Sequence, residues 1–164
     1  MVRQADIKDV SRIAEILIFT KRMAYRPIFH DDKVSFGQMQ VVPLAAQYME
    51  RPEKLLHMWV YDDLFVKGLI TLQLIQSVEG GRVLQVEELY VDVFFQHEGI
   101  GQELLSFAEG MAREQKADGM GLWVLEKNSR ARLFYEKDGF VLSEKRKLEE
   151  GTPEYTVWYQ KKLA

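Results

Sequence analysis

The chain has 164 residues, 47% of them hydrophobic, with 22 Lys and Arg against 25 Asp and Glu and no cysteine. A domain of that length hides about 70% of its unfolded surface, so its core needs no disulfides, and a net charge of -3 lacks the basic field that draws proteins to nucleic acid phosphates. The absent thiols exclude disulfides, thiolate metal sites, iron-sulfur clusters and a cysteine nucleophile.

Residues 1–16 carry Asp6, Lys8, Asp9 and Arg12, which does not fit the charged cap and apolar run of a signal peptide. No segment reaches the ~20 uninterrupted apolar residues of a membrane span. These features predict a cytoplasmic protein with no membrane and no nucleic acid partner. With no long linker and no fixed-period repeat, a single domain is expected over 1–164.

In chain order, Asp9 or Ser11 can cap a helix whose apolar positions are Ile13, Ile16 and Leu17, continuing through 20–24. Residues 25–42 lose that period, and Pro27, Asp31, Asp32 and Gly37 predict irregular backbone before a short helix over 43–49. Residues 55–61 and 64–75 are rich in β-formers and flank Asp62-Asp63, which predicts an antiparallel hairpin. Glu79-Gly80-Gly81 makes the next turn, and 83–91 a third strand containing Glu87 and Glu88. After Gly99, the positions Ile100, Leu104, Phe107, Ala108, Met111 and Ala112 fit a helix with one buried face, stopped by Asp118-Gly119. The apolar run 122–125 suits a strand covered on both sides. Helix returns over 129–137 and ends at Gly139, and 140–142 with 155–163 predict a closing hairpin around Gly151 and Pro153. The fold class is therefore α/β, with a mixed, mostly antiparallel sheet.

The chemistry concentrates where strand 86–91 leads into Gln96, His97, Glu98, Gly99, Ile100 and Gly101 at the mouth of a helix. Two glycines let the backbone approach a ligand, and the first amides of a helix favour an anion such as a pyrophosphate; the same glycines also serve simply to turn a chain. Gln102 and Glu103 follow Gly101, so this is not a nucleoside triphosphate loop, and Leu104 stands where the dinucleotide fingerprint needs a small residue. His30, His57 and His97 have no metal-ligand spacing, and no metal is expected.

This stretch resembles the GNAT superfamily of acetyl-coenzyme A dependent N-acetyltransferases, whose phosphate loop is Gln/Arg-x-x-Gly-x-Gly/Ala after a strand. Asn128, Ala131, Phe134, Tyr135, Glu136, Lys137, Gly139 and Phe140 are similar to its Asn-x-x-Ala-x-x-Phe-Tyr-x-x-x-Gly-Phe segment. Leu89-Tyr90-Val91 resembles its cofactor strand, and Arg3-Gln4-Ala5 with Asp9 its first strand and turn. The resemblance implies a three-layer fold, with a mixed sheet of about six to seven strands flanked by helices and splayed between two parallel central strands. It also implies acetyl-CoA as acyl donor, with the pantetheine arm along Leu89, Tyr90 and Val91 as an added strand. The pyrophosphate would lie on Gln96, His97, Glu98, Gly99, Ile100, Gly101 and Gln102, with further contacts from Asn128, Ala131 and Tyr135. Many relatives place a basic residue in the loop where this chain has His97 and Glu98, a departure that predicts weaker cofactor binding.

Acetyl transfer to an amine needs a neutral nucleophile, a donor to the developing oxyanion and a proton for the departing thiolate. Tyr135 matches the family position whose hydroxyl acts as general acid. Glu87 and Glu88 are the candidate bases, with water as the alternative, and they point to opposite sides of the strand. Some relatives carry a catalytic Glu two positions before Glu87, where this chain has Gln85, and that parity leans toward Glu87. The expected function is acetyl transfer from acetyl-CoA to a primary amine of a small molecule or peptide, by direct attack in a ternary complex. The alternative is a noncatalytic acyl-CoA binding or sensor module of the same fold, and transfer of a larger acyl group stays open. Asp31 and Asp32, near Tyr25, Phe29 and Phe36, offer either an acidic mouth for a cationic amine or a solvated loop. Trp158 and Tyr159 offer either a homodimer contact or core packing.

Overall fold

The computed structural model describes residues 1–164. The strands are β1 (Val2–Gln4), β2 (Met58–Asp63), β3 (Phe65–Gln76), β4 (Arg82–Val91), β5 (Gly119–Leu125), β6 (Val141–Leu148) and β7 (Tyr155–Lys162). They form one seven-stranded sheet in the order β1-β2-β3-β4-β5-β7-β6. It is mostly antiparallel, and β4 with β5 is its parallel pair. The flanking helices are α1 (Val10–Phe29), α2 (Val41–Glu50), α3 (Ile100–Glu114) and α4 (Ser129–Lys137). No helix is long and apolar enough to cross a membrane. The chain divides into two compact units, Met1–Thr71 with Glu88–Leu105, and Leu72–Glu87 with Ser106–Ala164.

In the first unit, α1 buries Val10, Ile13, Ile16 and Leu17 against Met58, Val60, Val66 and Leu69 of β2 and β3, with Tyr48 and Leu55 completing the cluster. Each such side chain contributes about 1.5–3 kcal/mol over exposure. The approach to α1 is fixed by Asp9, whose carboxylate accepts from the Asp6 amide at 2.8 Å and from both Arg3 terminal nitrogens at 2.8 and 2.9 Å. Burial opposes ionisation of Asp9, but the Arg3 and Asp6 hydrogen bonds outweigh it and hold the carboxyl below its usual range.

Residues 25–42 are more helical than their composition suggests. The helix α1 passes through Pro27 to Phe29 and ends at His30, whose φ of 55° closes it with an N–H bond to the Arg26 carbonyl at 3.0 Å. Pro27 supplies no amide to the Met23 carbonyl, and the helix ends three residues later at His30. A wide π-type turn follows over Lys33–Gln38. Arg22 of α1 organises it by donating to the Ser35 carbonyl at 2.8 Å and the Met39 carbonyl at 2.6 Å. That long-range arginine supplies order where the local sequence has no period.

In the second unit, β5 and β7 pair antiparallel from Gly119 opposite Lys162 to Leu125 opposite Thr156. The glycines of β5 are packing requirements: a Cβ on Gly121 would lie 2.0 Å from Trp158 Cζ2, and one on Gly119 would lie 2.7 Å from the Lys161 carbonyl oxygen. Gly119 therefore opens a strand, and α3 already stops at Glu114. Trp158 packs at 5.2 Å against Trp123 with the rings tilted by 59°, and the Tyr159 hydroxyl accepts from Arg132 and donates to Glu136. Trp158 and Tyr159 are 6% and 0% exposed. They are spent in this chain's own core, which removes them as a ground for a homodimer.

The parallel ladder sets Val83, Leu84 and Gln85 opposite Gly119, Met120 and Gly121. The registered pairs end there, although β4 continues to Val91 and β5 to Leu125.

Gly121→Ala is expected to cost about 1–3 kcal/mol through overpacking against Trp158. Gly110→Ala, at a helical site where a Cβ meets open space, is expected to gain about 0.5–1 kcal/mol. Urea unfolding of the two variants checks both signs.

Candidate active site

The site is built at the point where β4 leaves the sheet. The Asp92 amide donates to the Lys67 carbonyl of β3 at 2.8 Å. The buried Asp92 carboxylate accepts from the Phe94 amide at 2.8 Å and is paired with the Arg12 guanidinium. Arg12 also donates to the Val66 carbonyl at 2.8 Å and to Glu15 at 2.7 Å. Burial disfavours charge on Arg12, yet its two acidic partners raise its pKa overall. One arginine thus ties α1 and β3 to the turn that starts the loop.

From that turn the Gln96 side chain reaches back to the Val91 carbonyl at 3.2 Å. His97 takes a φ of 67° and Gly99 a φ of 86°, two left-handed steps that swing the chain into α3. At Gly99 the conformation carries no penalty, and a Cβ there would meet nothing within 4 Å. The helix ladder begins with the Glu103 amide on the Gly99 carbonyl at 3.0 Å, so the Ile100 and Gly101 amides lie in the opening turn, where the helix dipole favours an anion. Gly68 of β3 permits this turn to pack closely, since a Cβ would come within 3.1 Å of both Ile100 Cγ2 and the Tyr90 carbonyl.

The loop's local charge also includes Lys67. Its ammonium is 2.8 Å from Asp63 and lies over the Phe65 and Phe95 rings at 5.0 and 4.8 Å. The Asp63 hydrogen bond is the main reason its pKa is raised, with Glu98 adding to the effect.

Along β4 the two glutamates separate. Glu87 is exposed. Glu88 accepts from the Thr71 hydroxyl at 3.2 Å, and its other oxygen is 3.6 Å from the Lys21 ammonium. Two positions on, and so on the same face, the Tyr90 hydroxyl is hydrogen-bonded to that of Tyr25 at 2.9 Å. The Tyr48 phenol is buried nearby, and that burial, reinforced by the Glu88 charge, pushes its pKa up. Asp31 and Asp32 form no acidic mouth. Asp31 accepts from the Lys33 and Val34 amides, and Asp32 is paired with Arg26 at 2.8 Å.

In the second unit the Asn128 side chain accepts from the Ala131 amide at 3.2 Å and starts α4. Asn128, Ala131 and Tyr135 recur at helical spacing on one face. The Tyr135 ring is buried edge-on between Phe134 and Phe140 at 5.3 and 5.8 Å, and its carbonyl accepts from the Phe140 amide at 3.1 Å. Leu89, Tyr90, Val91, the whole loop and Glu88 thus belong to the first unit, whereas Glu87, Asn128, Ala131 and Tyr135 belong to the second. No group of three or more His, Cys, Asp or Glu is placed to hold a metal ion.

The sequence profile of the acetyltransferase (GNAT) family matches residues 22–140. The chain belongs to the GNAT family. A 58-residue stretch is 38% identical to an uncharacterized N-acetyltransferase in the pepI 3' region of Lactobacillus delbrueckii subsp. lactis, covering 35% of this chain and 34% of that protein. The matched stretch therefore spans about a third of that relative. The PaiA N-acetyltransferase of Thermoplasma acidophilum, solved in complex with coenzyme A, superimposes with a TM-score of 0.75 at 20% identity, over 99% of this chain and 98% of that one. YncA of Salmonella typhimurium, solved with its cofactor acetyl-CoA, gives 0.68 at 21% identity, over 100% and 94% of the chains. At these identities the likeness is one of fold.

Within this GNAT chain, Arg12, Gly68, Lys67 and Lys21 escaped sequence reasoning because their partners lie far away along the chain. Only Gly68, a glycine inside an otherwise apolar strand, carried a local signal of close backbone approach. Asp92→Ala is expected to cost about 2–4 kcal/mol, because it leaves the Arg12 charge partly buried without its main partner. Glu15→Gln, at the solvent end of the same arginine, is expected to cost under about 1 kcal/mol. Denaturant unfolding of both variants is the check.

Proposed function

We propose that residues 1–164 form one acetyltransferase domain that moves an acetyl group from acetyl-CoA to a primary amine of a small molecule or peptide, by direct attack in a ternary complex. The observation that carries this reading is the end of the β4–β5 ladder at Gln85, from where β4 runs on into a left-handed loop and a helix start. A strand whose pairing with its neighbour has ended can take an extended pantetheine arm along Leu89, Tyr90 and Val91. The space over Gly99 and the Ile100 and Gly101 amides suit a pyrophosphate. The loop from Gln96 through His97 and Glu98 to Gln102 would wrap it.

The donor supplies a thioester, and transfer forms a C–N bond as the C–S bond breaks. The chain's own groups handle the protons and the charge. An alkyl ammonium with pKa about 10.4 must first be deprotonated. We assign that proton to Glu88, directly or through one water, because Glu88 lies among Thr71, Lys21, Tyr48 and Tyr90 whereas Glu87 faces solvent. A main-chain amide of the Leu89, Tyr90, Val91 run donates to the developing oxyanion. As the C–N bond forms, the nitrogen sheds its second proton to Glu88, which has passed the first to solvent, while the Tyr135 hydroxyl protonates the departing sulfur and is then recharged from solvent.

Calorimetric titration should show coenzyme A binding and no ATP binding, and thiol release against an amine and peptide panel should show turnover. Glu88→Gln is expected to lower kcat about 100-fold, and Glu87→Gln less than about twofold. Tyr135→Phe is expected to lower kcat by about 100-fold or more, with coenzyme A affinity changed less than about twofold. Coenzyme A binding without turnover on any acceptor would contradict the transfer reading and favour an acyl-CoA sensor.

A further inference from the structure

One cation beside Glu88 is held more loosely than its neighbours. Along α1, Arg12 is bonded to Asp92, Glu15 and the Val66 carbonyl, Arg22 to two carbonyls, and Arg26 to Asp32. Lys21 has only Glu88, at 3.6 Å and so beyond hydrogen-bond range, and the face of the Tyr90 ring at 5.8 Å. The Lys21 and Glu88 side chains are 28% and 26% exposed, enough for a solute to reach both. Tyr25, one helical turn beyond Lys21, and Thr71 complete a polar patch of hydroxyls around the pair.

Such a pair constrains what can approach Glu88. An ammonium arriving alone at that carboxylate would displace Lys21 and set two like charges a few ångströms apart in a partly desolvated place. An acceptor that carries an anion beside its amine replaces both halves of the pair together, its ammonium on Glu88 and its anion on Lys21. We propose that the acceptor is an amine bearing a neighbouring carboxylate, of which a free α-amino acid is the simplest case, and that Lys21 determines this specificity. The inference rests on the acetyl-transfer reading and on Glu88 as the base. The bonds made and broken are those given above, and the product is an N-acetyl amino acid with free coenzyme A.

The test compares α-amino acids with the amines left when the carboxylate is removed, beginning with leucine against isoamylamine and phenylalanine against phenethylamine, by thiol release from acetyl-CoA. At least one amino acid is expected to exceed its matched amine in kcat/KM by about tenfold or more, a factor equal to about 1.4 kcal/mol. Lys21→Met should collapse that ratio toward one, mostly through KM of the amino acid, and Lys21→Arg should restore most of it. Coenzyme A affinity, read by calorimetry, separates this effect from damage to the loop. Turnover with no preference for the carboxylate, or a preference that survives Lys21→Met, would overturn the inference and leave acetyl transfer standing. Absence of thiol release with every amine, amino acid and peptide would overturn both.

Discussion

The buried carboxylate of Asp92 is the contact on which the first unit turns. It sits where β4 ends, accepts from the Phe94 amide and faces Arg12, while its own amide is bonded to β3. A charge in that position is tolerated only with a full set of partners. Meeting that requirement forces α1, β3 and the exit of β4 into one arrangement. The left-handed steps at His97 and Gly99 follow from a fixed starting point, and the opening amides of α3 inherit their direction from it.

The same economy of partners distinguishes scaffold from chemistry. Asp9, Asp32, Glu109, Glu126 and Asp138 each have a close cationic partner, and such groups hold loops and strands in place. Glu88 differs. It has a hydroxyl on one oxygen and only a distant ammonium on the other, so it keeps capacity to accept a proton or a ligand. The alternation of β4 sends Glu88 and Tyr90 to one face, toward Lys21 and Tyr25 of α1, and leaves Glu87 in solvent.

Local signals made much of this legible. The helix over Ser129–Lys137 and the loop before Ile100 follow from capping and glycine chemistry that acts within a few residues, whereas the expected hairpin turns at Leu64, with a φ of 66°, and pairs Asp62 and Asp63 within its strands. What composition obscured depends on distant partners. The helix passes Pro27, and the stretch after it is ordered by Arg22, a contact no local pattern announces. Asp31 and Asp32 looked available as substrate-attracting acids, but amides and Arg26 occupy them. Strand parity placed Glu87 and Glu88 on opposite faces but could not say which face α1 would cover. The Trp158 and Tyr159 pair read equally as interface or core until the glycines of β5 showed where Trp158 fits.

The proposed function requires that β4 beyond Gln85, together with the loop it feeds, is a backbone surface for coenzyme A. Hydrogen-deuterium exchange of the purified chain, with and without saturating coenzyme A, tests it at the level of the amides themselves. Slowed exchange is expected in peptides covering 88–104, with the β6–β7 hairpin unchanged. Protection absent from 88–104, or confined to the hairpin, would contradict it.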